Sequence, residues 1–533
     1  MSKKIGMVIS SHPDASDAGI EVLKNGGNAF DAAVAASFMV CVVDPANTSI
    51  GGYGGSLVAY SSELDRVFSI NFDSRAPAKA RADMFELISS SDGSTSVKDD
   101  ANIFGANSVG VPGILRGLDL ALKKYGTMPI SRVVSRSIET ARKGFVVNES
   151  NSSSILEVID PLRRDDFKIT AKLMMPKGRA PKAGEVLANP ELSESLSIIA
   201  DEGVDSFYSG SLCSKIVEYL DSCGGLLAEE EMQRYRPIES KPLAISYHGY
   251  RIHTPPLCSG GLSSLQILKV AENLSVAKAK QRSAEYFHSL LEIMKLCWRE
   301  RLSKLGDPEF IQLDQKAQLS GKIIEELSDE ARISIENTGR GQILSTSRKS
   351  STSHICASDV EGNFVSMTHT LGGSLGSLMT VPGTGIVLGH GVSRFDPRPG
   401  HPNSVGPQKQ PLHNMCPMLM TKDDQIVAAF GVPGGRTIVN NMVQFVLDMV
   451  DYAMSPRTAL AFPRIHVESA EPVQVEASIG KPMIAKLRKL GHEVKSVKRI
   501  GGPAHIIMKR SDNSLIGATD PRDEGKVART VLR

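Results

Sequence analysis

At 533 residues the chain exceeds the size at which one hydrophobic core keeps growing, so two domains or one large layered unit are expected. Hydrophobic residues at 41% and charged residues at 23% match soluble globular proteins, and a net charge of +2 gives no basis for a nucleic-acid partner. A small binding module is not expected.

The opening residues, Met1 to Ile9, hold two lysines and then only a short apolar run interrupted by Gly6. No signal peptide is read there, and a soluble, cytoplasmic protein without a membrane partner is expected. Asp17 is expected to cap a helix through Ile20, Val22 and Leu23 that breaks at Asn25-Gly26-Gly27-Asn28. A second, almost wholly apolar helix follows. Its stretch Ala32 to Val43 is too short to span a bilayer and ends in Asp44-Pro45, so it must be buried. Asp31 and the Gly26-Gly27 pair are assigned to helix architecture.

Strands are expected at Ser56 to Tyr60 and Val67 to Phe72, where β-branched and aromatic residues alternate with small ones. Between Gly113 and Gly144, Leu115, Leu118 and Leu122, then Val133, Val134, Ile138 and Ala141, recur at helical spacing and predict a helix pair flanking a sheet. Ile252 to Thr254 is a further strand. Ser353 to Ser358 and Phe364 to Thr370 read as a hairpin whose turn is Asp359-Val360-Glu361-Gly362-Asn363. A last core strand, Ile426 to Phe430, meets Gly431.

The seven cysteines, Cys41, Cys213, Cys223, Cys258, Cys297, Cys356 and Cys416, show no paired spacing, and free, mostly buried thiols are expected. The twelve histidines are dispersed, and neither a metal nor a cofactor is expected.

The clearest break in composition is Asn337 to Ser353, rich in Gly, Ser, Thr, Arg and Lys, which predicts an exposed loop. It runs straight into Ser351-Thr352-Ser353-His354-Ile355, which turns to strand within two residues. A hydroxyl residue at such a junction suits an N-terminal nucleophile, because the loop can be cut and the strand can hold the new terminus. A threonine hydroxyl attacks poorly unless a base removes its proton. A freed α-amino group, with a pKa of about 7.7 to 8.0, is such a base, and cleavage between Ser351 and Thr352 would create it.

The residues from Thr352 onward resemble the start of the small subunit of γ-glutamyltranspeptidases, in which a Thr-Thr-His segment opens the mature chain. The likeness continues through Asp359, Gly362-Asn363, Val365, Thr368-His369-Thr370-Leu371, Pro382-Gly383-Thr384-Gly385, Pro399-Gly400 and Pro402-Asn403. It also takes in Gly6-Met7-Val8, Gly26-Gly27-Asn28-Ala29, Val109-Gly110-Val111-Pro112-Gly113, Gly306-Asp307-Pro308 and the closing Gly517-Ala518-Thr519-Asp520-Pro521-Arg522. The matches keep their order from end to end. By this resemblance Thr352 is the nucleophile, Thr370 is the threonine that hydrogen-bonds it, and Gly434 and Gly435 supply the oxyanion N–H groups. His354 is read as structural or orienting.

The resemblance implies an α+β fold, the four-layer αββα sandwich of N-terminal nucleophile hydrolases. It also implies a proenzyme that splits into residues 1–351 and 352–533, which stay together around a small-molecule amide substrate. A homodimer of the processed unit is the candidate assembly. In the family an Arg and two serines hold the substrate's α-carboxylate, and an acid with amide helpers holds its α-amino group. Here Asp73 stands at the Arg position, Arg394 at the acid position, His413-Asn414 at the serine pair, Gly372 at an asparagine and Gly391 at a glutamine. Arg75, two residues from Asp73, either pairs with it or offers a displaced guanidinium. These exchanges imply an inverted or shifted clamp that takes an acid-bearing amide, a short acyl or dicarboxylate monoamide, instead of glutathione.

The segment between Pro399-Gly400 and Val405-Gly406-Pro407 is too brief for the lid some family members carry, which favours hydrolysis over transfer. The expected activity is that of a glutathione-hydrolase-like or γ-glutamyltransferase-like amidohydrolase acting through a threonyl acyl-enzyme. The alternatives are an acylase or oxamate-type amidohydrolase of the same fold, and a non-catalytic relative that binds without turnover.

Overall fold

The computed structural model describes residues 4–89, 95–336, 351–522 and 525–532. Its two large sheets are built, in chain order, from β1 (Lys4–Ser10), β2 (Gly54–Ser61), β3 (Arg66–Asn71), β4 (Ile238–Ser240), β5 (Leu243–Tyr247) and β6 (Tyr250–Thr254). After residue 350 come β7 (Ser351–Ser358), β8 (Phe364–Gly372), β9 (Met418–Lys422), β10 (Gln425–Gly431), β11 (His505–Lys509), β12 (Leu515–Thr519) and β13 (Lys526–Leu532). The first sheet runs β13-β1-β7-β8-β2-β3-β4 and the second β12-β11-β10-β9-β6-β5. All pairs within them are antiparallel.

Strand alternation sorts side chains into layers. Val8, Leu57, Ile355, Ala357, Val365 and Met367 turn to a core shared with helices Pro13–Lys24, Ala29–Val43, Ile114–Tyr125 and Ile130–Lys143. Their neighbours Met7, Ile9, Val58, Cys356 and Phe364 meet Leu419, Ala429 and Ile507 of the second sheet. Met418, Met420, Phe430 and Ile506 turn the other way, onto helices Gly261–Asn273, Ala284–Lys304 and Thr437–Val450. Helix, sheet, sheet and helix therefore stack in four layers, the αββα architecture expected from the sequence.

Helix Ala29–Val43 is buried at every residue, as its composition requires. Each of its Val, Phe and Met side chains contributes about 1.5–3 kcal/mol by leaving water. Asn28 and Asp31 close a capping box at its start, and Asp31 also accepts from Thr127 N at 2.9 Å and Met128 N at 3.1 Å. Asp359 in the β7–β8 turn accepts from Ala29 N at 2.8 Å, tying the hairpin to the same helix end.

Two expectations change. The first helix begins at Pro13 with His12 as its cap, and Asp17 lies inside it with its carboxylate on Lys526. Proline at the first helical position fixes the start five residues earlier than the Asp signal suggested. The loop expected over Asn337 to Ser353 also ends sooner, since Ser351 to Ser353 are buried in β7, while residues 337–350 lie outside the described residues. Among the described residues no helix is long and apolar enough to cross a membrane. Six of the seven cysteines are buried free thiols, with Cys223 exposed.

Candidate active site

β7 lies inside the first sheet, between β1 and the central strand β8. Its regular pairing with β8 fails at its first residues, where Ser351 faces Gly372 and Ser353 faces His369. Thr352 alone therefore stands opposite Thr370 and Leu371, a bulge that re-aims its side chain. Gly372 makes the bulge possible. Its φ of +106° is a glycine conformation, and a Cβ there would come within 2.2 Å of His390.

The bulge brings three oxygens together. Thr352 Oγ1 donates to Thr370 Oγ1 at 3.4 Å, Gly372 N–H donates to the same oxygen at 2.7 Å, and Thr370 O–H donates to the carbonyl of Ser351. A hydroxyl has one proton and two lone pairs, so Thr370 is fully used. The result is a directed chain from the Thr352 hydroxyl to the carbonyl of the preceding peptide bond. On the other side, Ser353 Oγ donates to Asp44 Oδ2 at 3.3 Å.

Ser351, Thr352, Pro433 and Gly434 line one cavity of about 820 Å³, with Asp44, Glu149 and Glu157 also on its wall and Arg436, Lys498 and Arg499 among its cations. Gly434 has φ +134°, and a Cβ would lie 2.7 Å from Gly501 Cα, so the chain approaches here as only glycine can. Among the described residues, neither Gly434 N–H nor Gly435 N–H donates to a protein acceptor, although their carbonyls accept from Thr437 and Ile438.

His354, two residues along β7, bonds Thr368 Oγ1 at 2.8 Å and Cys356 Sγ at 3.3 Å and packs against Gly431. Burial, with His505 and His369 nearby, holds its pKa well below the usual value, so it is a neutral core histidine, in keeping with the structural role expected of it.

The family model described as Gamma-glutamyltranspeptidase matches residues 15–530. The chain belongs to the gamma-glutamyltranspeptidase family. The glutathione hydrolase proenzyme of Bacillus subtilis (strain 168) is 32% identical over 541 residues, covering 98% of this chain and 91% of that protein. The Acylase ACY 1 proenzyme of Pseudomonas sp. (strain SE83) is 33% identical over 525 residues, with 98% and 92% coverage. The crystal structure of cephalosporin acylase from Bacillus halodurans aligns with a TM-score of 0.88 at 28% identity, covering 99% of this chain and 96% of that one.

In this gamma-glutamyltranspeptidase-family chain the residues expected at the clamp are Asp73, Arg75, Arg394, His413 and Asn414. Asp73 is wholly buried and lies beside Gly54, which pairs with Thr370 across β2 and β8, so its carboxyl shares the face of the Thr370 hydroxyl. His413 Nε2 is 3.4 Å from Asp73 Oδ2, yet no atom of either group has a hydrogen bond of good geometry. Burial pushes the Asp73 carboxyl well up and the His413 imidazole down to about 3, with Arg301 and Arg394 also lowering the latter.

Arg75 does not pair with Asp73. Strand β3 ends at Asn71, whose Oδ1 accepts from Asp73 N at 2.9 Å and turns the chain. Arg75 instead binds Glu309 at 3.0 Å and the carbonyl of Gln408 at 2.9 Å. Arg394 donates to the carbonyl of Gly372 and lines a second cavity of about 370 Å³ with Glu157, Ser374, His390 and Ser393. Glu157 is on the wall of both cavities.

Asn414 is held by Arg301, a buried guanidinium that also donates to the carbonyls of His413 and Ser259. Sequence reasoning missed Arg301, Glu157, Ser374 and Asp44, none of which sits in a recognisable motif. It also missed His288, Glu292 and His492, which come within ligand distance of one another although no metal array was read. Lys295 bridges Glu292 at 2.7 Å and Glu471, and His288 Nδ1 and His492 Nε2 hydrogen-bond each other at 2.8 Å.

Proposed function

We propose that the chain is a precursor that cuts itself between Ser351 and Thr352, giving parts 1–351 and 352–533, and then hydrolyses an amide with Thr352 as an N-terminal nucleophile. The observation that carries this is the hydroxyl chain Thr352 to Thr370 to the Ser351 carbonyl, built into the wall of a cavity. In the cut, Thr352 Oγ1 bonds to the Ser351 carbonyl carbon while its proton passes to Thr370 and the Thr370 proton passes to the carbonyl oxygen. Collapse breaks the C–N bond and moves that proton to the departing nitrogen. Water then hydrolyses the ester that remains.

In the processed form the freed α-amine of Thr352 is the base, with an ordinary pKa of about 7.7 to 8.0, and later the acid. The N–H groups of Gly434 and Gly435 receive the oxyanion. Both sheets contain strands from before and after residue 351, which would keep the two parts together.

The acyl group in this reading carries a carboxylate held by Arg394, and hydrolysis exceeds transfer because no long lid follows Pro399-Gly400. The Asp73–His413 pair supplies no guanidinium to an α-carboxylate, which disfavours γ-glutamyl compounds. Similarity to an acylase proenzyme at 33% identity supports an acyl group other than γ-glutamyl.

Intact-mass analysis of wild type and Thr352→Ala tests the cut, with two fragments expected from the first and one from the second. A single uncut wild-type chain with amidase activity would overturn the scheme. Steady-state rates on dicarboxylate monoamides, γ-glutamyl anilide and glutathione test the acyl group, and higher kcat/KM on the γ-glutamyl compounds would refute that part.

A further inference from the structure

The side chain of Ser351, on the acyl side of the proposed cut, is held as firmly as its carbonyl. Its Oγ lies 3.0 Å from Ser374 Oγ, and Ser374 Oγ donates to Glu157 Oε2 at 3.0 Å. The direction of this chain is fixed by proton counting. A carboxylate only accepts, so the single Ser374 proton goes to Glu157, and Ser351 must donate to Ser374. Ser351 and Ser374 are 7% and 8% exposed, so few waters compete for these bonds.

We infer that Ser374 and Glu157 are positioning residues for self-cleavage, orienting the Ser351–Thr352 peptide by gripping the Ser351 hydroxyl. This rests on the reading that the chain cuts itself at that bond. The Ser351 carbonyl accepts from Thr370 in β8, while its hydroxyl reaches Ser374 two residues beyond the end of the same strand. Two anchors on one residue fix the plane of its carbonyl, and with it the angle at which Thr352 Oγ1 approaches. Attack on a carbonyl is sensitive to that angle, and misplacement by a fraction of an ångström slows it.

After the cut Ser351 ends in a carboxylate at the wall of a cavity that holds both acids and cations, Glu157, Arg436, Lys498 and Arg499 among them. Ser374 and Glu157 are then left on the wall of the Arg394 cavity, open to the acyl group of a substrate.

The test is the rate of conversion of pulse-labelled, full-length precursor in a cell-free translation, followed on a denaturing gel for wild type, Ser351→Ala, Ser374→Ala, the double variant and Glu157→Ala. Each single variant is expected to cut about five- to tenfold more slowly, and the double variant no more slowly than Ser374→Ala, since all break one chain. Ser374→Thr and Glu157→Gln, which keep a hydroxyl and an accepting oxygen, are expected to restore conversion to within about twofold, which general damage to folding would not allow.

Wild-type rates in both Ser351→Ala and Ser374→Ala, with Thr352→Ala uncut, would overturn this inference and leave the nucleophile standing. Additive losses in the double variant, or no rescue by Ser374→Thr, would overturn it as well. A wild-type chain that is never cut would instead bring down the underlying reading.

Discussion

Replacing Thr370 with valine keeps the branched side chain and deletes the hydroxyl at the centre of the proposed cleavage chemistry. That hydroxyl accepts from Thr352 Oγ1 at 3.4 Å and from Gly372 N–H at 2.7 Å, and it donates to the Ser351 carbonyl. Removing one donor from a developing oxyanion costs about 100- to 1,000-fold in rate. The Gly372 N–H left unpaired costs about 1–3 kcal/mol in stability, a separate effect with a separate readout. Thr370→Ser keeps the proton path and loses only a methyl group. Conversion of pulse-labelled precursor should therefore fall by two to three orders of magnitude in Thr370→Val and by only a few-fold in Thr370→Ser, while Tm falls in the valine variant. Conversion of Thr370→Val within threefold of wild type would show that the Ser351 carbonyl needs no such donor, and the relay would be abandoned.

The Asp73–His413 contact yields two predictions of opposite sign in pH. The Asp73 pKa is raised in the folded state, so its contribution is present below the unfolded value of about 3.9 and lost as pH rises through the folded one. Asp73→Asn should thus raise Tm at pH 8, with the gain shrinking toward pH 4, and a loss of stability at pH 8 would show that the carboxylate is charged and paired. The His413 pKa is lowered to about 3, so the unfolded chain takes up a proton below about 6.5 that the folded chain refuses. His413→Gln should therefore gain stability relative to wild type as pH falls from 7 to 4, and thermal melts showing a pH-independent difference would rule this out.

The features legible in the sequence are those whose cause is local. Helix Ala29–Val43 could be read because nothing but burial suits an unbroken apolar run, and the β7–β8 hairpin because Asp359 to Asn363 is turn chemistry between alternating runs. The junction at Thr352 was visible as an abrupt change of composition. His12 was not visible as a cap, because histidine is a rare one and Asp17 a common type, yet Pro13 decided the matter. Of the two alternatives for Arg75, pairing with Asp73 fails because the Asn71 side chain ends the strand two residues before Asp73. Glu157, Ser374 and Arg301 carry no local signal at all. Their importance comes from what the long-range pairing of strands sets beside them.

Why the site lies at one end of the sandwich follows from strand parity. The residues of β8 facing the second sheet are Phe364, Ser366, Thr368 and Thr370, and those of β7 are Cys356 and His354, with Thr352 following. Along that face the side chains pass from apolar to hydroxyl and imidazole. A dry interface between sheets tolerates such groups best where they are paired, as Ser366 is with the Phe430 carbonyl at 2.9 Å, Thr368 with His354 at 2.8 Å and Thr370 with the Ser351 carbonyl. The second sheet meets this polar end with Gly431, where His354 leaves no room for a Cβ, and then with the loop through Gly434. The two sheets therefore cannot close over apolar side chains at this end. The gap they leave is the cavity in which Thr352 stands, so the alternation that builds the core also places the Thr352 hydroxyl at its open edge.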